Sequence, residues 1–385
     1  MLAAKFLLAA RILGPEQMGL VGFATLTLAV AESMSDTGLM QALIQNKIKH
    51  GKDELGAAWT LQSSRGFSLA LILVAVAGPI SVFFHEPMVR QFLYIAAVIP
   101  VLRDTVNPGY AYLQREKNFR KTAFFEIGSS AVDLSLTLGA IHLGYGASSV
   151  LLGTIAGEGT TLVLTWMLLS TRIRPNFHWG IIKELTGYGK WVWGTSVATF
   201  LLNQADKILV GKLLGTMQLG IYQVANRMSQ LIISDSSTAL GQYLFPVFSA
   251  GHRISRDEAR AHFDRTIRMV GLLAFSGAAI LALGAGMLIR LALGPQWIEA
   301  VPYLRIMAFS MGFGAVIAVQ IAYSRAIGKP QIVTHAVIVQ LAVLALCAPV
   351  LIIKFGGLGM AVASGLALAS AVGMLAFKIS RSATP

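Results

Sequence analysis

The feature that most constrains this chain is a series of apolar runs of about 20 residues, each long enough to cross roughly 30 Å of hydrocarbon at 1.5 Å per residue. Those from Phe67 to Phe84, Thr334 to Ile353 and Leu358 to Phe377 are the plainest. No soluble core of this size hides so much apolar surface: 55% of the 385 residues are hydrophobic and 13% charged, so lipid is the solvent that fits. In lipid every backbone amide must be satisfied internally, and no alternating strand pattern competes, so the runs are read as helices.

They place spans near 1–12, 18–45, 57–84, 89–112, 120–143, 147–170, 187–212, 218–249, 263–290, 299–325, 331–354 and 358–378. The chain is therefore an all-α polytopic membrane protein of about twelve transmembrane helices. Pro100, Pro108 and Pro302 fall inside spans and predict kinks, because proline cannot donate to the helical ladder. Cys347 is the only cysteine, which excludes an intrachain disulfide or a thiolate metal site. Lys5 interrupts the opening apolar run and no small-residue cleavage site precedes Arg11, so no cleaved leader is expected.

The formal net charge of +13 is distributed by loop. Lys47, Lys49 and Lys52 follow the second span; Arg115, Lys117, Arg120 and Lys121 the fourth; Arg172, Arg174, Lys183 and Lys190 the sixth. Arg253, Arg256, Arg260, Arg265 and Arg268 follow the eighth, Arg325 and Lys329 the tenth, and Lys378 and Arg381 the last. These loops hold 20 of the 31 basic residues, whereas the opposite side has only Arg11, Arg90, Lys212, Arg290 and Lys354. By the positive-inside rule the basic side is cytoplasmic, with both termini there, and the basic segments set topology and touch membrane lipids. No stacking platform accompanies the charge, so no nucleic acid partner is expected.

The sequence also repeats itself. Arg11-Ile-Leu-Gly-Pro-Glu-Gln-Met-Gly-Leu-Val-Gly-Phe-Ala24 matches Lys212-Leu-Leu-Gly-Thr-Met-Gln-Leu-Gly-Ile-Tyr-Gln-Val-Ala225 at a constant offset of 201. The same offset brings Ser35–Leu39 onto Ser236–Leu240, and an offset of 213 brings Gly144-Tyr-Gly146 onto Gly357-Leu-Gly359. Two lobes follow, 1–180 and 181–385, each of six helices; six is even, so the copies are parallel repeats with a substrate path expected between them. The offset carries the start of the seventh span, near Gly187, to about 14 residues before Met1, so the first helix is expected to be truncated.

Several motifs fail. Gly187-Tyr-Gly-Lys190 resembles the end of a phosphate loop, but Glu184 and Trp191 occupy the required glycine and hydroxyl positions. His252 and His262 have no further ligands at metal spacing, so no metal, no cofactor and no catalytic residue is assigned. Gly153 with Gly157 and Gly211 with Gly215 have the spacing for close helix packing.

Leu13-Gly14-Pro15-Glu16 with Gly19, Ser35-Asp-Thr-Gly-Leu39 with Ala42-Leu-Ile-Gln45, Gly211-Lys-Leu-Leu-Gly215 with Leu219-Gly-Ile-Tyr222, Ala225-Asn-Arg227, Phe245-Pro246 and Leu293-Gly-Pro-Gln-Trp297 together resemble the polysaccharide-transporter family of oligosaccharide flippases, the Wzx-like members of the MOP superfamily. The resemblance covers nearly the whole chain, in order. It implies two six-helix lobes in a V-shaped MATE/MOP-like flippase fold, with the first, second, seventh and eighth helices lining a central cavity. It further implies an undecaprenyl-diphosphate-linked oligosaccharide as substrate, flipped across the bacterial inner membrane by alternating access for surface polysaccharide assembly, with a polysaccharide polymerase and export proteins as partners. Two other classes stay open: a membrane glycan polymerase or transferase, and a MATE-like proton- or sodium-coupled small-solute antiporter.

Charged residues inside the spans cost roughly 2.5–3.5 kcal/mol each at a helix centre, so they should face partners or water. On the eighth span Gln223, Arg227, Gln230, Ser234, Thr238 and Gly241 recur at steps of three or four and form one polar stripe. Arg227 suits a diphosphate, because its forked donors stay charged when dehydrated; pairing with an acid such as Asp206 is the structural alternative. Ser196, Thr199 and Asn203 share a face of the seventh span, flanked by Asp206 and Lys207, and are candidates for sugar hydroxyls or a cation. Glu32 and Asp36, one turn apart, are candidates for ion coupling, with an interhelical lock as the alternative. Arg103 lies between two prolines as a further cavity candidate, Arg65 and Arg305 are expected to snorkel or neutralise an acid, and Glu126, Asp133 and Glu158 are expected to be structural partners.

The loop charges generate a direct expectation. A fluorescent-protein fusion after Arg381 will fluoresce and an alkaline phosphatase fusion there will be inactive; an active phosphatase would put the basic loops on the outer side.

Overall fold

The computed structural model describes residues 2–35, 52–110, 113, 119–169, 175, 176 and 179–381, with side chains at all of these except 2, 52–54, 119, 179–199, 201, 202, 233–239, 252–254 and 256. In chain order the helices are α1 (Leu2–Met34), α2 (Lys52–Phe84), α3 (Met88–Ala96), α4 (Val98–Asp104), α5 (Phe119–His142), α6 (Ser148–Leu168) and α7 (Trp179–Ser229). A π-helical turn, Gln230–Ser234, then leads into α8 (Asp235–Ile254), α9 (Arg256–Ala292), α10 (Ala300–Ala326) and α11 (Gln331–Arg381). Eight of the helices are long and apolar enough to cross a membrane, and no strand occurs among the described residues.

Three of these helices carry two expected spans each across one non-helical glycine. The breaks are at Gly14 (φ 80°, ψ 175°) in α1, Gly215 (φ 82°, ψ −171°) in α7 and Gly356 (φ 57°, ψ −142°) in α11. All three φ values belong to the region that only glycine enters without strain. Gly14 and Gly215 are mates at the offset of 201, so the repeat seen in the letters is repeated in the backbone.

The expected span 89–112 is two short helices. Pro100 cannot donate to the carbonyl of Ala96, and the ladder breaks there into α3 and α4. Beyond Asp104 the freed carbonyl of Thr105 accepts both Trp59 Nε1 (3.1 Å) and Trp166 Nε1 (3.0 Å). Pro302, by contrast, does not break its span. It sits in the first turn of α10, where the amide would have no intrahelical partner, and α10 runs unbroken to Ala326.

The chain divides into two compact units, Met1–Gly220 and Ile221–Pro385. In the first, the two glycine corners clasp each other. A Cβ on Gly19 would strike the carbonyl of Thr216, and a Cβ on Gly220 would strike the carbonyl of Pro15 and lie 2.9 Å from the amide of Gly19. Pro15 and Thr216 are also mates at 201, so the contact is reciprocal: the same residue of each repeat meets the same surface of the other. Nearby, Lys212 Nζ donates to the carbonyl of Phe83 and lies over its ring, and Thr216 Oγ1 donates to Glu86 Oε2 (2.9 Å), which ties this corner to the end of α2.

Close packing continues between α5 and α6. A Cβ on Gly153 would come within 2.7 Å of the Asp133 carbonyl, and one on Gly157 within 2.9 Å of Asp133 Cβ, as the four-residue spacing predicts. The same spacing at 211 and 215 has a different cause. Gly211 packs on Phe23, but Gly215 has nothing within 4 Å and serves as the bend.

In the second unit the core gathers Leu244, Phe248, Phe263, Val319, Tyr323 and Leu375. Phe263 stacks on Tyr323 at 4.2 Å with Phe248 edge-on to both. Ser255 caps α9 by accepting from the Glu258 amide at 3.3 Å, the S-x-x-E capping pattern.

Gly19→Ala and Gly220→Ala should each lower the melting temperature of the detergent-purified protein, by the equivalent of about 1–3 kcal/mol for inserting a methyl against backbone. Gly78→Ala, where nothing lies within 4 Å, should not. Equal melting temperatures for all three variants would contradict the clasp.

Candidate functional site

Charged side chains of the first unit meet in one connected cluster. From α4, Arg103 Nη1 donates to Glu32 Oε1 of α1 at 2.6 Å, while Nε (2.9 Å) and Nη2 (2.6 Å) grip Glu158 Oε1 of α6. One guanidinium therefore holds carboxylates from two helices, which its planar fork of donors permits. Its neighbour Asp104 points elsewhere, to Arg65 of α2 at 3.8 Å, and Arg65 Nε donates to Ser35 Oγ at 3.1 Å. Asp104 is 4% exposed, and its Oδ2 has no hydrogen-bond partner within range among the described residues.

Beside this lies a fully satisfied pair. Lys5 Nζ reaches Asp133 Oδ1 (2.6 Å), Thr154 Oγ1 (2.9 Å) and the Val150 carbonyl (3.2 Å), which uses all three donors of the ammonium. Thr137 Oγ1 adds a donor to Asp133 Oδ1 at 3.3 Å. Both members of the pair are buried, so it locks α1, α5 and α6 together. The Arg103 side chain keeps 43% of its surface and so borders open space, whereas Lys5 does not. With every group ionised, the described residues of the cluster are four acids, Glu32, Asp104, Asp133 and Glu158, and three bases, Lys5, Arg65 and Arg103, an excess of one negative charge among them.

Glu32 is thus ion-paired, and Asp36 lies outside the described residues. Asp206 Oδ1 accepts the Lys207 amide at 2.8 Å with its ammonium at 3.7 Å, and Lys207 Nζ donates to the Asn203 carbonyl at 2.6 Å. The side chains of Ser196, Thr199, Ser234 and Thr238 lie outside those described.

In the second unit Arg227 is half-buried. Its Nη1 donates to Gln230 Oε1 at 3.4 Å, and it makes no ion pair among the described residues. Gln223 is half-buried on the same helix one turn before it. The π turn Gln230–Ser234 follows at once; its i→i+5 bonds rotate the next residues, so the uniform α-helical spacing assumed for the polar stripe ends at Gln230. Arg305, expected to snorkel or pair, donates to the Ala282 carbonyl at 3.1 Å. Glu126 accepts from the Tyr110 hydroxyl at 3.4 Å.

Sequence reasoning identified each of these charges but missed the pairings. Lys5 and Asp133 are 128 positions apart, and only their shared placement inside spans marked them as partners to be sought.

Comparison with known proteins follows the same lines. The family model described as polysaccharide biosynthesis protein matches residues 8–302. The chain is 24% identical over 322 residues to the succinoglycan biosynthesis transport protein ExoT of Rhizobium meliloti (strain 1021), covering 83% of this chain and 64% of that one. It is 21% identical over 301 residues to the lipopolysaccharide biosynthesis protein WzxC of Escherichia coli (strain K12), covering 77% and 61%. The chain thus spans less than two thirds of the length of either relative.

Among solved structures, the lipid II flippase MurJ in an inward closed conformation has a TM-score of 0.78 at 13% identity, covering 98% of this chain and 86% of that one. An inward-facing multidrug resistance MATE family transporter of the MOP superfamily has a TM-score of 0.71 at 14% identity, covering 100% and 96%. At those identities the likeness is one of fold.

Lys5→Met should strand the Asp133 carboxylate and destabilise the protein by about 3–5 kcal/mol, the usual cost of breaking a buried pair from one side. Lys5→Met with Asp133→Leu should regain most of that loss. Thermal denaturation of both variants checks this; a single variant as stable as the double one would show that the stranded carboxylate costs nothing.

Proposed function

Because the chain belongs to the polysaccharide biosynthesis protein family, we propose that it is a non-enzymatic flippase for an undecaprenyl-diphosphate-linked oligosaccharide. The observation that carries this reading is Arg227: a half-buried guanidinium within an apolar helix, without a carboxylate among the described residues, beside two glutamine side chains. An arginine retained in that setting needs an anion, and a diphosphate offers paired oxygens to its fork. Gln223, Gln230, Ser234, Asn203, Asp206, Lys207 and Arg103 are the other groups proposed to meet the head group.

The proposed cycle is alternating access by two lobes, 1–180 and 181–385, each carrying its repeat, with the lipid tail left in the bilayer. The proposed setting is the bacterial inner membrane with both termini cytoplasmic, and the partners are a polysaccharide polymerase and export proteins. The excess carboxylate of the Arg103 cluster supports coupling to a proton or sodium ion, with Glu32 and Asp36 as the acids concerned. Fold likeness to a MATE transporter favours a second reading, cation-coupled export of a small solute. Substrate-dependent counterflow with no effect on lipid-linked glycan would select it.

In proteoliposomes, the protein should move a labelled lipid-linked oligosaccharide between leaflets. Arg227→Gln should cut that rate at least about tenfold, the loss of one charge-assisted contact, at unchanged membrane abundance. Normal transport by the variant would remove Arg227 from the site.

A further inference from the structure

A cleft of about 570 Å³ opens between the ends of α5 and α6, lined by Arg120, Lys121, Phe124, Phe125, Leu168 and Leu169. It lies within the first unit, at the end where the basic loops gather, and takes no part in the Arg103 cluster or in the stripe of Arg227. Its floor is Phe125, 2% exposed; its walls, Phe124 (58%) and Leu168 (55%), are exposed apolar side chains on spanning helices. At its mouth stand Arg120 and Lys121, both exposed, and Arg120 makes no ion pair among the described residues.

Three observations bear on the occupant. The volume falls within the roughly 300–1,000 Å³ of specific small-molecule sites. The chemistry is divided as in an amphiphile, with cationic donors at one end and aromatic and aliphatic wall below. Trp166, two residues before Leu168, is partly exposed, packs edge-on against Trp59 at 5.8 Å, and directs its indole N–H to the Thr105 carbonyl. Tryptophan is enriched at the level of lipid head groups, which agrees with a mouth at the interface and a floor in the acyl region.

We infer that this cleft binds one anionic phospholipid from the leaflet on the basic-loop side, its phosphate between Arg120 and Lys121 and an acyl chain along Phe124, Phe125 and Leu168. A guanidinium and an ammonium that both line one cleft suit a phosphodiester, and basic pockets between helices are recurrent sites for anionic lipids. A zwitterionic head group would bring its own cation against the same two charges, so the site discriminates by charge, whereas the apolar wall alone would not.

The test is native mass spectrometry of the purified chain with dioleoylphosphatidylglycerol and dioleoylphosphatidylcholine as probes, in a detergent that keeps it monodisperse. The wild type should retain phosphatidylglycerol in preference to phosphatidylcholine. Arg120→Gln with Lys121→Gln should weaken that retention about 25-fold, from about fivefold for each basic side chain at a membrane surface. Arg120→Lys with Lys121→Arg should preserve it, which separates charge from misfolding. Leu168→Trp, which fills the cleft and keeps both charges, should also reduce it. Retention unchanged in the glutamine variant, or equal retention of the two lipids, would overturn the site. Full retention in Leu168→Trp would reduce it to surface attraction. Displacement of phosphatidylglycerol by undecaprenyl phosphate at equal concentration would assign the cleft to the polyprenyl carrier and so refute the phospholipid.

Discussion

Gly19 and Gly220 leave no room for a side chain where their helices meet, and much of the first unit is arranged around that meeting. Each glycine lies against the backbone just past the other repeat's bend, and each bend is itself a glycine, Gly14 or Gly215, in a conformation that other residues avoid. In a membrane, where lipid and side chains are equally apolar, such close backbone approach supplies the packing that water would otherwise drive. The clasp draws the end of α1's first segment, the bend of α7 and, through Lys212 and Thr216, the α2 end into one corner. Because mates contact mates, the corner is symmetric in residues related by the offset of 201.

Charge placement follows from the same solvent. Among the described residues seven ionisable side chains meet in the first unit, and they differ in how completely they are satisfied. Lys5 with Asp133 has every ammonium donor used and is closed to its surroundings, as a structural lock should be. Arg103 joins two carboxylates yet keeps an open flank, and Asp104 retains an oxygen without a donor among the described residues. An incompletely satisfied cluster in hydrocarbon is where a change of protonation or of a bound cation costs least. Arg227 presents the complementary case, a guanidinium facing only a neutral amide among described partners. The proposed transport cycle needs both: a cation to take the head group and an unbalanced cluster to answer an ion gradient.

Much of the fold could be read from the letters because its causes are local. Apolar runs define spans and Pro100 breaks one of them, whereas Gly14 and Gly215 match in the letters without either being marked there as a bend. Gly153 and Gly157 pack as their spacing implies. Pro302 misled, since position within the turn rather than mere presence decides whether proline kinks a helix. Gly215 misled in part, because identical spacing serves packing at one glycine and bending at the other. The candidate site was legible as a set of residues but not as a set of pairs. Nothing local joins Lys5 to Asp133 or Arg103 to Glu32 and Glu158, and nothing in the residues 230–234 announces a π turn in place of α-helix. Such features are set by which helices become neighbours.

The central claim is that this family member moves a finished lipid-linked oligosaccharide rather than building one. Its most direct test is to delete the gene in the host and identify, by mass spectrometry with leaflet-selective labelling, the lipid-linked intermediate that accumulates. A flippase predicts the complete oligosaccharide on its polyprenyl diphosphate, held on the leaflet where it is made. A shortened oligosaccharide, or a complete one already on the opposite leaflet, would contradict that and assign the protein to synthesis or polymerisation.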